Sequence, residues 1–69
     1  MSSRLVNVYC YTVPNKKYLY ARCDDAVTMK PVISAGLDYI VQACIDRGYV
    51  MLNAQDVLHY LVVNNRIKD

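Results

Sequence analysis

The chain has 69 residues, 55% of them hydrophobic, and a formal net charge of +2. That length holds one domain, residues 1–69, whose core stabilises itself only marginally. The charge is low for a chain whose main work is holding phosphates, and no apolar run reaches the ~20 residues that span a bilayer.

Residues 4–13 alternate in polarity, Pro14-Asn15-Lys16 interrupts them, and residues 17–23 alternate again. This pattern predicts an antiparallel hairpin. With a loop over residues 13–16, Tyr11 faces Tyr18 and Tyr9 faces Tyr20, two aromatic pairs on one face. Val6, Val8 and Cys10 fall opposite Cys23, Ala21 and Leu19 on the other. Asp24-Asp25 reads as a turn. Residues 26–30 stay open: Val27 and Thr28 allow a short third strand, and Lys30, before Pro31, is biased away from helix.

A helix is predicted over residues 31–47. Pro31 suits its first turn, and Ile33, Leu37, Ile40, Val41, Cys44 and Ile45 recur at helical spacing. Asp38, Gln42 and Asp46 lie opposite. Gly48 supplies the stop and Arg47 complements the helix dipole. Gly36, inside this helix, costs roughly 1 kcal/mol relative to alanine. Residues 49–52 connect in extended form. Asn53 is the expected N-cap of a second helix over residues 54–65, with Asp56 in its first turn. Val57, Leu58, Leu61 and Val62 form its buried stripe.

The expected fold is therefore α+β: an N-terminal antiparallel β-hairpin followed by two antiparallel helices, ββαα. A lone hairpin covers two helices poorly. Dimerisation would join two hairpins into a four-stranded sheet, and the high hydrophobic fraction also points to a homodimer.

No enzyme is expected. His59 is the only histidine, mid-helix and without a nucleophile at a meaningful spacing. Gly36 and Gly48 are the only glycines, so there is no phosphate loop. All six acidic residues are aspartates, with no paired-carboxylate motif. No metal or cofactor is expected either, because Cys10, Cys23, Cys44 and His59 lack ligand spacing. Three cysteines, an odd number, read as reduced thiols in a cytoplasm, that of a host if the chain is phage-encoded. Met1-Ser2-Ser3-Arg4 leads straight into strand-like sequence, so no leader and no membrane association are expected.

The charge is unevenly spread. Residues 1–22 carry Arg4, Lys16, Lys17 and Arg22 and no acid, while every acidic residue follows. Such asymmetry suggests an oriented partner surface; lysines that blunt a sheet edge would give the same pattern. Seven tyrosines with no Phe or Trp suit a surface that is wet alone and dry when bound. The candidate partner-binding residues are Tyr9, Tyr11, Lys16, Lys17, Tyr18, Tyr20 and Arg22. A second candidate surface is Tyr39, Tyr49, His59 and Tyr60. The expected function is that of a small non-enzymatic binding protein. It would modulate or inhibit a partner protein by occupying its surface, as accessory proteins of phages and mobile elements do. Self-association and hetero-binding through the tyrosines are both open.

The alternative is a nucleic-acid-binding regulator. Tyrosines rimmed by cations resemble the stacking platforms of single-strand binders. In the C-terminal half, residues 27–30, residues 37–47, Gly48 and residues 53–62 form a strand–helix–helix series that resembles the ribbon-helix-helix repressors. That resemblance implies a dimer reading DNA through a ribbon, with Thr28 and Lys30 as its polar contacts.

Overall fold

The computed structural model describes residues 4–15 and 17–68, with side chains through residue 63. Six elements follow in chain order: β1 (Leu5–Tyr11), β2 (Tyr20–Asp25), β3 (Pro31–Gly36), α1 (Leu37–Arg47), β4 (Val50–Met51) and α2 (Ala54–Lys68). The strands form one four-stranded sheet in the order β3-β2-β1-β4. β1 pairs antiparallel with β2, β2 antiparallel with β3, and β1 parallel with β4. The fold is α+β, as expected, but its sheet is mixed and not a simple hairpin.

β1 and β2 are the expected strands in a different register. Tyr11 pairs with Tyr20, Tyr9 with Arg22 and Val8 with Cys23. The shift is two residues, so every side chain keeps the face that alternation assigned it. The cause lies between the strands, where residues 12–15 and 17–19 stay outside them. Leu19 is buried in the core, and its carbonyl accepts the Leu37 N–H at 2.8 Å. This anchor holds the loop open past the tight turn that Pro14-Asn15 suggested.

Residues 26–30 are a turn and not a third strand. The Asp25 carboxylate accepts the N–H groups of Val27 at 2.8 Å and Thr28 at 3.0 Å. Met29 takes a left-handed φ of 63°, a conformation that costs a side-chain-bearing residue ~1–2 kcal/mol. The Asp25 carboxyl is held below the usual carboxylate range, first by the Thr28 and Val27 N–H groups and then by Arg4. The Arg4 guanidinium lies 3.3 Å away. The ribbon of the ribbon-helix-helix resemblance falls on this turn and is not formed.

The third strand comes after the turn, where a helix start was expected. Pro31 opens an edge strand, a position where a missing N–H is tolerated as well as in a helical first turn. Val32 and Ile33 are β-branched and favour the pleat. Ile33 pairs with Cys23 and Ala35 with Ala21, so both add to the covered face of the sheet. Gly36 is the N-cap of α1, extended at φ −60° and ψ 146°, and not a helix-interior residue. α1 ends as expected: Gly48 adopts φ 70°, and its N–H and that of Tyr49 bond the Ile45 and Cys44 carbonyls at 3.2 and 2.8 Å.

β4 is two residues long and gains its hold from its flanks. The Val50 N–H donates to the Arg4 carbonyl at 2.8 Å and the Leu52 N–H to the Val6 carbonyl at 2.9 Å. Asn53 then continues the ladder with its side chain. Its Oδ1 accepts the Val8 N–H at 3.1 Å, and its Nδ2 donates to the Val8 carbonyl at 2.6 Å. Asn53 does precede α2, yet its amide turns sideways to β1 and not to the helix end. Only its backbone carbonyl serves the helix, accepting the Val57 N–H at 3.2 Å.

Both helices lie on one side of the sheet, α1 over β2 and β3 and α2 over β1. The core between the layers is Val6, Val8, Leu19, Ala21, Cys23, Leu37, Ile40, Cys44 and Val57. One chain thus supplies all four strands that had been expected from two copies. Cys23 and Cys44 are buried and Cys10 is half-buried, all as free thiols. Burial pushes the Cys23 thiol up to about 12, helped by Cys44, with which it shares a hydrogen bond. These thiols behave as small apolar side chains.

Candidate functional site

Two strands and one loop build the open face of the sheet. On β1 and β2 the residues that do not point to the helices include Tyr9, Tyr11, Tyr20, Arg22 and Asp24. Tyr18 joins them from the loop. Tyr9, Tyr11 and Tyr18 are 48%, 41% and 42% exposed, while Tyr20 between them is half-buried. The rings form a connected row. Tyr11 meets Tyr20 edge-on, with centroids 5.8 Å apart and planes at 61°. Tyr18 stacks on Tyr20 at 6.0 Å and 28°. Arg22 lies over the Tyr9 ring at 5.4 Å. These are the offset and edge geometries that aromatic quadrupoles favour, and the Arg22 contact is a cation–π pair.

Electrostatically the face is milder than its sequence suggested. The Arg22 Nε donates to both Asp24 oxygens, at 2.9 and 3.2 Å. Asp24 is only 7% exposed, so this pair places a carboxylate beneath the guanidinium that covers Tyr9. Lys17 is exposed on the loop. Lys16, the other lysine assigned to this face, lies outside the described residues.

The structure adds neighbours that sequence reasoning missed, because β3 had been read as helix. The Tyr11 hydroxyl and Ser34 Oγ are hydrogen-bonded at 3.3 Å, so β3 fixes the far end of a β1 side chain. Gly36 lies under Tyr18: a Cβ there would sit 2.9 Å from the ring. Alternation of Ile33 and Ala35 against Ser34 and Gly36 was the available signal.

The second candidate surface is dispersed over the two helices and the connection between α1 and β4. Tyr39 is 61% exposed on α1. Tyr49, between α1 and β4, is half-buried with the Arg4 guanidinium 5.5 Å above its ring. His59 is exposed on α2. Tyr60 lines a cleft of ≈ 330 Å³ with Val8, Tyr9, Cys10, Asn53, Asp56 and Val57.

Chemically, the tyrosine face presents flat apolar area, phenol groups that donate and accept, and one charge-balanced guanidinium. Such a set binds by burial and hydrogen bonding. Among the described residues no three His, Cys, Asp or Glu side chains converge to hold a metal ion. None of the described helices is long and apolar enough to cross a membrane. Compared with known proteins, the chain matches no family model, no curated protein and no solved structure.

Proposed function

We propose that this chain is a small non-enzymatic binding protein that modulates or inhibits a partner protein by covering part of its surface with the open face of the sheet. The observation that carries this reading is the row Tyr18–Tyr20–Tyr11, with Tyr9 beneath Arg22, left half-exposed on a sheet whose other face is filled. Tyrosine and arginine dominate protein interfaces because they bring large contact area with few rotamers to freeze. The rings brace one another here, so little ordering is left for the moment of binding.

The same face supports a protein target over a phosphate backbone. Asp24 neutralises Arg22 in place, and a carboxylate beside the rings repels an approaching anion.

Capture from the cytoplasm of the source cell tests this reading, with and without nuclease, for the natural chain and for Tyr9→Ala/Tyr11→Ala. Both rings are largely exposed, so the double variant keeps the fold by circular dichroism. A protein that survives nuclease and is lost with the double variant is the expected result. Retention of that protein by the variant overturns the site; loss of every partner to nuclease overturns the protein target.

A further inference from the structure

We propose that the cleft between β1 and α2 binds an arginine held in an extended peptide segment, the segment's backbone on Cys10 and the guanidinium on Asp56. This is a second site, on the β4 side of the sheet, and it does not rest on the function proposed above.

The outer border of β1 is closed one position at a time. The Leu5 carbonyl accepts the Ala26 N–H, so odd residues of β1 bond to β2 and even ones face outward. β4 meets Val6, whose carbonyl accepts the Leu52 N–H, and its pairing with β1 goes no further. The Asn53 amide meets Val8, accepting its N–H and donating to its carbonyl as a neighbouring strand would. The chain then turns away into α2. Cys10 is the next outward residue. Among the described residues no group bonds its outward N–H or C=O.

The cleft of ≈ 330 Å³ lies against this position. Val8 and Val57 line it from the core. Asp56 and Tyr60 stand four residues apart on α2, a spacing that puts both on one side of the helix. Burial pushes the Cys10 thiol up and keeps it neutral, so Asp56 carries the only charge among the lining residues. Its carboxylate makes no ion pair or hydrogen bond with a described group.

A strand residue opposite Cys10 sends its side chain to the same face as the Cys10 thiol. That is the helix side: Met51, opposite Val6, already packs there against the core. An extended segment in this position therefore delivers one side chain into the cleft, while the peptide groups on either side of that residue supply the C=O and N–H that Cys10 lacks. A long side chain with a cationic end matches the lining, with apolar walls for its stem and an unpaired carboxylate for its head. Arginine fits better than lysine. Its planar fork pairs with a carboxylate through two N–H groups and stacks on tyrosine, as Arg22 does on Tyr9.

Titration with N-acetyl-alanyl-arginyl-alanine amide, followed by the backbone amide resonances, tests the site. The Cys10 amide should shift saturably. Citrulline in place of the arginine keeps the shape and removes the charge. It should bind about threefold to fivefold more weakly, and Asp56→Asn should weaken the arginine peptide by the same factor. No saturable shift at Cys10, or equal binding of the two peptides to the natural chain, overturns the proposal. So do shifts confined to the amides of Tyr9, Tyr11 and Tyr20, which would put the peptide on the tyrosine face. Asp56 is exposed, so its variant should fold; the citrulline comparison decides on the natural chain alone.

Discussion

The two faces of β1 and β2 are made by the same strands and have opposite fates. Toward the helices, Val6, Val8, Ala21 and Cys23 are at most 2% exposed. Toward solvent, Tyr9 and Tyr11 keep 48% and 41% of their surface. The covered face uses small and branched side chains that let helices approach closely. The open face uses long side chains that touch one another and, among the described residues, have no layer above them. The first arrangement stabilises the fold by excluding water. The second contributes less, because each ring keeps about half its area wet, and that remaining area is what a partner can bury.

Substitutions on the two faces should therefore separate stability from surface order. The largest effect belongs to the covered side. Ile40, on the inner side of α1, is fully buried against the sheet, and Ile40→Ala should cost about 2–5 kcal/mol. In a domain this small that removes much or all of the cooperative transition, read as a lower midpoint in urea. An unchanged midpoint would mean that the faces are not energetically distinct.

Gly36→Ala probes the open side. Its backbone suits alanine, but the new Cβ displaces the Tyr18 ring from the Tyr20 stack. Stability should move by no more than about 1 kcal/mol, the ring being free to swing outward. The near-ultraviolet circular dichroism, which tyrosine dominates in a chain without Trp, should change clearly.

The smallest effect lies in the turn, which belongs to neither face. Asp25 titrates lower in the folded chain than in the unfolded one. Its contribution is complete above the ordinary carboxylate value and is lost as pH falls through the depressed folded value. Asp25→Asn should remove that part of the acid dependence by slightly lowering the neutral-pH melting temperature, while leaving the value below the depressed folded range nearly unchanged.

Which residues share a face was legible from the sequence, because a period of two survives a register error of two. Val8 and Tyr9 stayed on their sides although their partners changed. The end of α1 was legible too, since Gly48 has the one conformation that marks it. The helix start was not. Pro31 suits a strand start and a helical first turn equally, and Ile33 stands four residues before Leu37, a helical interval by coincidence. Only the tertiary demand for a third strand beside β2 decides between them. β4 is too short to show any pattern, and its hold depends on a polar side chain whose target lies far away in sequence. From the candidate site, the tyrosine row was visible by alternation. The Asp24 partner of Arg22 was read as part of a turn, and Ser34 as part of a helix.

The amide of Asn53 also bears on the order in which the chain organises itself. β1, β2 and β3 are neighbours in sequence and can associate through short loops as soon as residue 36 is available. The outer side of β1 has to wait. Val8 and Asn53 are separated by 45 residues, so the first strand to be synthesised has its second border closed only after α1 has crossed the sheet. Local pairings of this kind form early, and distant ones must overcome the entropy of a long loop. Sequence separation therefore favours the three-stranded meander as the earlier unit and closure at Val8 as the later step.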